Sequence, residues 1–332
     1  MKKLHIALLA GGNSSERDIA LNSAAQVAAA LDTTKYDIKL VDIHHREWIY
    51  TDAKGEKHSV DRNDFSVTVD NKKELFDYAL IIMHGTPGED GMLQGYLEIM
   101  GIPFSSCSMT SSVITFDKIS TKRALSGSGI SLAKEVLLKK GESFDAQAII
   151  AELGTPIFVK PNASGSSFGV SRVKCVEEMA DAVALAFTES DTVLVEEAIV
   201  GREVGCGVMI TSEGVEYLLP ITELISKREF FDYEAKYTTG LCDEITPADL
   251  PDSIREALNK KTIAAYRACR CRGVVRIDFI VTESGEPYLI EINSIPGMSS
   301  GSIVPQQIRA SAMTIGEFYD ILIEDTYKSQ TK

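Results

Sequence analysis

The chain has 332 residues, which is too long for one ordinary hydrophobic core and predicts two or three domains. Hydrophobic residues make up 44% and charged residues 25%, and both fractions are typical of a globular protein. The formal net charge of −14 argues against nucleic acid and against an anionic membrane as partners, because either would require a basic surface patch.

The N-terminus carries a short apolar run followed directly by a glycine turn. Residues 4–10 are too few for the core of a signal peptide and include His5, so we interpret them as a buried first strand. No other apolar run approaches the length of a membrane span. The six cysteines lack the paired spacing of a metal site, and we expect reduced thiols in a cytoplasmic protein.

The opening third alternates strands with helices, which is typical of a doubly wound parallel sheet. The pattern predicts strands over 4–10, 36–43 and 78–84, and helices over 18–31 and 92–100. Residues 47–69 interrupt this order and suggest an inserted hairpin, for which the sequence indicates no role. His44, His45 and His58 lie in or beside the insert, where surface histidines are a better interpretation than a metal site.

Two further units follow, the first beginning near Cys107 and the second near Gly201. The first has helical patterns over 110–126, 144–153 and 176–188, and strands over 133–138, 156–160, 170–173 and 192–197. The second has strands over 203–210 and 215–221, a polar segment over 226–244, a helix over 252–270, a pair of strands over 274–281 and 287–293, a loop over 294–302 and closing helices.

The last pair of strands carries four polar residues in an apolar setting. Side chains alternate along a strand, so Arg276 and Asp278 share one face of the first strand, and Glu291 and Asn293 share one face of the second. If the two faces coincide, the hairpin presents a cation, two carboxylates and an amide carbonyl together. Hard oxygen donors of this kind suit Mg²⁺ completed by substrate phosphates. The alternative is a solvated hairpin with a surface ion pair.

A glycine- and serine-rich turn over 160–169 joins two predicted strands. Small residues let main-chain N–H groups approach phosphate oxygens, and Lys160 could add a positive charge. No Walker pattern occurs, and a flexible surface hairpin is an equal alternative for this segment alone. Downstream, Glu196 and Glu197 lead into a connection where main chain could pair with adenine, and Glu203 could hold ribose hydroxyls. Ordinary charges at strand ends are the alternative here.

Taken in order, these features resemble the ATP-grasp ligases, and within that superfamily the D-alanine:D-alanine ligases. The resemblance covers nearly the whole chain. The matching segments are 11–17, 84–91, 117–118, 160–161, 165–167, 233–237, 276–278 and 291–298. The resemblance implies a mixed α/β and α+β fold with a Rossmann-like N-terminal domain over 1–106, including the hairpin 47–69. A two-part ATP-grasp fold would follow, with a central domain over 107–197 and a C-terminal domain over 198–332 that carries a lid over 226–244.

The resemblance also implies roles for individual residues. ATP would be bound by a set of lysines, acids and connector main chain, namely Lys118, Lys160, Glu196, Glu197, Ile199, Glu203 and Lys236. Two Mg²⁺ ions, or Mn²⁺ in their place, would be held by Asp278, Glu291 and Asn293. The amino-acid substrates would be bound by Glu16, His84 and Ser302. Catalysis would use Arg276 and the N–H of Gly297 at the oxyanion, and a hydrogen-bonded group of Glu16, Ser166 and Tyr237.

The reaction that the resemblance implies is ATP-dependent joining of two D-alanines through a D-alanyl phosphate, for peptidoglycan precursors. Tyr237 argues against the variant that makes D-alanyl-D-lactate, and Gly301 departs from the histidine of many relatives. The alternatives are a different ATP-grasp carboxylate–amine ligase, a non-catalytic ATP-binding protein and a nicotinamide oxidoreductase. The glycine pattern of dinucleotide-binding proteins is missing, which argues against the oxidoreductase. Relatives are commonly homodimers, and the alanine-rich opening helix could serve as an interface or pack on its own sheet.

Overall fold

The computed structural model describes residues 3–14, 16–165, 168–226 and 242–331. Its helices are α1 (Arg17–Ala30), α2 (Met92–Met100), α3 (Met109–Phe116), α4 (Lys118–Ala124), α5 (Ala146–Leu153), α6 (Met179–Ala186), α7 (Asp252–Ala268), α8 (Ile303–Ala310) and α9 (Ile315–Gln330), with a 3₁₀ turn at Val176–Glu178. Most of the expected lid, 227–241, lies outside the described residues.

The first sheet has the strand order β6-β5-β4-β3-β2-β1-β7. Its strands are β1 (Leu4–Gly11), β2 (Tyr36–His44), β3 (Glu47–Thr51), β4 (Lys57–Asp61), β5 (Ser66–Val69), β6 (Lys72–Leu75) and β7 (Tyr78–Ile81). β1 pairs in parallel with β2 and β7, and Leu8 stands opposite Leu40 and Leu80. The parallel part therefore consists of β1 and its two neighbours, β2 and β7, and the strand predicted to reach His84 ends at Ile81.

The insert is larger than the predicted hairpin. Four antiparallel strands, β3 to β6, run to Leu75 and extend the first sheet from β2. Through β3, the insert pairs the N–H and C=O groups at the edge of β2. Trp48 anchors the insert by edge contacts with Phe65 and Tyr96.

The histidines of the insert do not gather into one cluster. His58 lies 3.3 Å from Asp52 and near Glu56, and this group of potential ligands includes neither His44 nor His45 within the described chain. The rings of His44 and His45 instead contact each other, with their centroids 4.5 Å apart. His44 and His45 are exposed, as the interpretation of surface histidines requires, whereas His58 is half-buried beside Asp52.

The second sheet is antiparallel, in the order β11-β10-β12-β9. Its strands are β9 (Glu135–Lys139), β10 (Ile157–Pro161), β11 (Ser171–Val173) and β12 (Thr192–Glu197). Their inward side chains pack against α5 and α6 in a separate apolar cluster. The turn 162–170 between β10 and β11 is thus carried on a rigid sheet.

The third sheet has the order β16-β15-β13-β17-β18-β8, and β14 pairs with β13. Its strands are β8 (Ser131–Leu132), β13 (Arg202–Ile210), β14 (Glu216–Leu218), β15 (Thr222–Ser226), β16 (Cys242–Ile245), β17 (Val274–Val281) and β18 (Pro287–Asn293). The sequence pattern missed β8, β15 and β16 because they are short or polar. Strands β17 and β18 have the predicted bounds.

The chain's two ends meet in one apolar core. Ala24 and Val27 of α1 are fully buried with Phe318 and Tyr319 of α9. The apolar side of α1 is therefore used inside the molecule, which was one of the two roles considered for it. No helix in the described ranges is long and apolar enough to cross a membrane.

Candidate active site

The polar faces of β17 and β18 coincide. Arg276 stands directly opposite Asn293, and Asp278 stands directly opposite Glu291. Residues opposite each other in an antiparallel pair project from the same face, so all four side chains meet. The register shifts just beyond Asp278, where Phe279 pairs with Leu289. Bulges of this kind bend a strand and redirect side chains beside functional sites.

Hydrogen bonds lock this group together. The Arg276 guanidinium donates from Nε to Asp278 Oδ1 and from Nη2 to Asp278 Oδ2, both at 2.8 Å. Asn293 Nδ2 donates to the same Oδ2 at 2.9 Å. Asp278 is 7% exposed and Arg276 16% exposed, so the pair is shielded from water. A surface ion pair on a solvated hairpin is excluded by this burial.

The oxygen donors fit a hard divalent cation. The Asn293 amide points its nitrogen at Asp278, which leaves its carbonyl oxygen for a metal. Two carboxylates and an amide oxygen on neighbouring strands are the donor types that Mg²⁺ accepts. Glu291 Oε2 lies 3.9 Å from Lys118 Nζ, so the set also touches a positive charge that could face phosphate.

Two cavities meet at this hairpin. One, of about 540 Å³, lies between the second and third sheets, and the other, of about 550 Å³, lies between the first and third sheets. Both cavities are lined by Lys118, Ser164, Gly165 and Glu291. A molecule in the first cavity can therefore touch a molecule in the second at this shared wall, opposite Arg276 and Asp278.

A break between two helices directs the Lys118 side chain toward the glycine turn. The pattern over 110–126 is divided at Asp117, which is extended and caps α4 by accepting from Ser120 N–H at 2.7 Å. Asn162 holds the same point, because its Oδ1 accepts from Ile119 N–H and its main-chain oxygen accepts from Lys118 N–H. Lys118 Nζ then donates to Ser164 O at 3.1 Å.

Lys160 and Glu196 form part of a buried charge cluster. Glu196 contacts Lys160 and lies 2.5 Å from Lys122, and both Glu196 and Lys122 are 8% exposed. Burial alone would raise the pKa of Glu196, but the two ammonium groups outweigh it and hold that pKa below its usual value. Lys122 also donates to Glu135 at 2.8 Å and to Ala133 O at 2.6 Å. Lys160 lines the first cavity.

The connector after β12 lies along the first cavity. Ile199 and Glu203 line it, together with Ala198 and Val200. Glu197 is turned to its neighbours instead, since its N–H donates to Lys134 O at 3.1 Å and its Oε1 accepts from Lys134 N–H at 2.8 Å. Contact with an adenine through the Glu197 N–H is therefore not available in this arrangement, whereas Ile199 and Glu203 are well placed.

Glu16 and His84 face each other across the second cavity. Glu16 is the N-terminal flanking residue of α1, and a side chain at Gly165 would come within 3.1 Å of its carboxylate. A larger residue at position 165 would therefore require the Glu16 side chain to shift by a few tenths of an ångström. His84 is buried, and burial lowers its pKa while the Glu16 carboxylate acts in the opposite direction.

The loop after β18 closes the far end of the second cavity. Ser302 is the N-cap residue of α8, and its Oγ lies 2.8 Å from Ser299 Oγ. Gly297 is close to it, since a side chain at Gly297 would come within 2.8 Å of Ser302 Oγ. Both residues line the same cavity as Arg276, so the predicted oxyanion donors and the predicted carboxylate anchor are neighbours.

Comparison with known proteins identifies this arrangement. Family models described as the D-ala D-ala ligase N-terminus and C-terminus match residues 5–107 and 125–324. The chain belongs to the D-alanine–D-alanine ligase family. A D-alanine–D-alanine ligase of Phocaeicola vulgatus is 43% identical over 325 residues, covering 98% of this chain and 100% of that one. The expected family is thereby confirmed.

Solved ligases share the fold. The VanG D-Ala:D-Ser ligase from Enterococcus faecalis has a TM-score of 0.86 at 32% identity, covering 98% of this chain and 100% of that chain. A D-alanine–D-alanine ligase from Bacillus anthracis complexed with ATP has a TM-score of 0.80 at 30% identity, covering 100% of this chain and 99% of that chain. The expected ATP-grasp architecture is thereby confirmed, and the chain is a ligase.

In this ligase, three of the predicted site residues, Ser166, Lys236 and Tyr237, lie outside the described residues. The remaining predicted residues all border the two cavities except Glu196, which supports Lys160 from within the sheet, and Glu197, which is turned toward Lys134.

Sequence reasoning assigned no role to Glu89, which lines the second cavity of the ligase. Its carboxylate accepts from Gly85 N–H at 2.7 Å. Burial raises the pKa of Glu89 to about 8, and the nearby Glu16 carboxylate adds to the rise. Its position in the glycine-flanked motif 85–91 was the available signal. Lys122 was also missed, because only the fold brings Glu135 and Glu196 to it.

Proposed function

We propose that this ligase joins two D-alanine molecules to D-alanyl-D-alanine for cell-wall precursor synthesis, with ATP converted to ADP and phosphate. The observation that carries the proposal is the shared wall of the two cavities. A nucleotide in the first cavity and an amino acid in the second would meet beside Lys118, Arg276 and Glu291. Such a meeting point suits transfer of a phosphoryl group to a carboxylate.

ATP would occupy the first cavity. Lys118 and Lys160 supply positive charge, and Ile199 of the connector and Glu203 of β13 line the same cavity. Phosphoryl transfer needs charge neutralisation and in-line positioning more than covalent help from the protein. Lys236 would add a further charge from the segment 227–241.

Magnesium would be held by Asp278, Glu291 and Asn293, and Mn²⁺ is an alternative with the same ligand preference. When bound, two such ions would neutralise the phosphate oxygens and reduce their repulsion of the attacking carboxylate. Arg276 orients Asp278 through its paired hydrogen bonds, so the protein presents the donors before the nucleotide arrives.

The first D-alanine would be oriented by its charges. Glu16 would receive the ammonium group, and His84 lines the same cavity. The substrate carboxylate would then lie toward the shared wall, attack the γ-phosphate and form D-alanyl phosphate and ADP. Ser166 and Tyr237 are proposed to complete the group around Glu16.

The second D-alanine would attack the acyl carbon with its amine, and phosphate would leave. The tetrahedral intermediate carries an oxyanion, for which Arg276 and the N–H of Gly297 are neighbouring donors. Ser302 would receive the carboxylate of this second substrate at the start of α8, where helix N–H groups favour a negative charge.

We also propose that the ligase acts in the cytoplasm, where ATP is supplied, and as a homodimer. The apolar side chains of Met92, Ile99, Met109 and Val113 on α2 and α3 are exposed by 67%, 86%, 43% and 47%. Side chains of this type on two packed helices favour a protein interface. The domain boundaries near 106 and 197 stay a prediction.

A phosphate-release assay tests the proposed reaction. The purified chain is mixed with ATP, Mg²⁺ and a panel of D-amino acids and D-hydroxy acids, and the products are separated by chromatography. We expect ADP, phosphate and D-alanyl-D-alanine in equal amounts from D-alanine. Release of phosphate only with another amine, or formation of D-alanyl-D-lactate as the main product, would refute the proposed substrate pair.

A further inference from the structure

The loop 299–302 at the second cavity is held through its main chain by side chains from two helices. Ser300 N–H donates to Gln26 Oε1 of α1 at 2.5 Å, and Ser300 O accepts from Arg309 Nη2 of α8 at 2.7 Å. Gly301 O accepts from Gln306 Nε2 of α8 at 3.0 Å. Apart from its two chain neighbours, no described residue has an atom within 4 Å of the position that a Gly301 side chain would take. The backbone contacts therefore replace side-chain packing at this point.

Gln306 is oriented in turn by a residue of another element. The same Nε2 atom that binds Gly301 O also donates to Glu244 of β16, which lines the second cavity. A carboxylate only accepts hydrogen bonds, so it selects the amide orientation in which Gln306 turns its nitrogen inward. With the amide reversed, the Gln306 oxygen would face two acceptors. Glu244 thus keeps Gln306 in the orientation that holds Gly301.

We propose that Glu244 and Gln306 are positioning residues for the second amino acid. The Gly301 carbonyl belongs to the peptide unit that leads into Ser302, so fixing it fixes the hydroxyl at the N-terminus of α8. This inference rests on the proposed function, in which Ser302 binds the carboxylate of the second substrate. Neither residue needs to touch that substrate, because each acts through the loop.

The two steps of the reaction depend differently on this loop. Formation of the acyl phosphate needs ATP and the first amino acid, whereas its capture needs the second amino acid held at Ser302. A loosened loop should therefore leave the first step intact and slow the second. Acyl phosphate that is not captured is hydrolysed by water, so more ATP is consumed for each dipeptide made.

The test measures this ratio in three variants. Gln306→Leu and Glu244→Leu remove the hydrogen bond, and Glu244→Gln keeps an acceptor without the charge. We expect both leucine variants to raise the KM for the second D-alanine about tenfold and to consume several ATP for each dipeptide, with the KM for ATP unchanged. Glu244→Gln should stay near wild type, since its amide oxygen still orients Gln306.

Glu324→Leu is a matched control, because Glu324 is 56% exposed on α9 and pairs only with Lys328 in the described structure. It should change neither KM nor the ratio. If ATP consumption and dipeptide formation fall in the same proportion in the leucine variants, so that one ATP is still used for each dipeptide, the inference is overturned in favour of general destabilisation. A Glu244→Gln variant as impaired as Glu244→Leu would overturn it as well, since the charge would then act on substrate directly.

The wild-type chain separates this inference from the proposed function. If it makes D-alanyl-D-alanine at one ATP for each product while the leucine variants behave like wild type, only the positioning role fails. If the wild-type chain releases phosphate without making this dipeptide, the proposed function fails and the inference fails with it.

Discussion

Substituting Glu196 by glutamine should destabilise the protein strongly at neutral pH. The change keeps the size of the side chain and removes the carboxylate that lies between Lys122 and Lys160, which are 8% and 15% exposed. Two buried ammonium groups then face an uncharged amide. Removing one partner of a buried ion pair costs about 3–5 kcal/mol, because the remaining charge stays buried without compensation.

The expected magnitude follows from what each lysine retains. Lys122 keeps Glu135 at 2.8 Å and Ala133 O at 2.6 Å, whereas Lys160 loses its carboxylate partner. The cost should therefore fall near the lower end, at about 3 kcal/mol. At roughly 2–4 °C of melting temperature for each kcal/mol, the midpoint should fall by about 6–12 °C.

The pH dependence supplies a second check. The lysines hold the pKa of Glu196 below its usual value of 4.5, so its stabilisation is fully present above that pH. It is lost as the pH falls through the lower pKa of the folded state, where the carboxylate becomes protonated. The difference between wild type and Glu196→Gln should therefore be largest at neutral pH and shrink in acid.

Calorimetry or urea unfolding of both proteins measures this difference. Asp70→Asn is the matched control, since Asp70 and Lys54 are 69% and 62% exposed and such pairs contribute less than about 1 kcal/mol. If Glu196→Gln costs no more than Asp70→Asn at pH 7, the buried charge cluster does not stabilise the fold.

Three further predictions concern the proposed metal site, the half-buried acid Glu89 and the proposed interface. Glu291→Gln should keep the fold and nearly abolish dipeptide formation, because it removes one charge from the proposed Mg²⁺ ligands; turnover like wild type at saturating Mg²⁺ would contradict this. Glu89 has a folded-state pKa of about 8 against 4.5 in the unfolded chain, so its burial penalty is absent below pH 4.5 and grows as the pH rises toward 8. Stability should fall on the order of 1 kcal/mol per pH unit in that window, and Glu89→Gln should flatten an unfolding profile taken from pH 5 to 8. Ile99→Glu places a charge on a side chain that is 86% exposed, so it should give monomers in sedimentation without loss of melting temperature; an unchanged mass distribution would argue against this surface.

Local patterns were sufficient where an element is defined by its own side chains. The alternation of apolar and polar residues predicted β17 and β18 with their observed bounds. The helical pattern over 92–100 predicted α2 with its observed bounds. A strand's period is local, so the shared faces of Arg276 with Asp278 and of Glu291 with Asn293 followed from spacing alone. The order of the motifs also indicated the family, because a motif is defined by residue types and their spacing and requires no knowledge of contacts.

Tertiary structure decided the features that depend on distant partners. The helical pattern over 110–126 is broken at Asp117 because Asn162 binds there, and no local signal reports that contact. The insert joins the first sheet because its strand β3 pairs with the edge of β2. The charge states of Glu89 and Glu196 likewise arise from burial and from charges on other elements. Spacing along the chain determines which side chains share a face. Long-range packing determines which residues that face contacts, and the desolvation and Coulomb energies of its charged groups depend on those contacts.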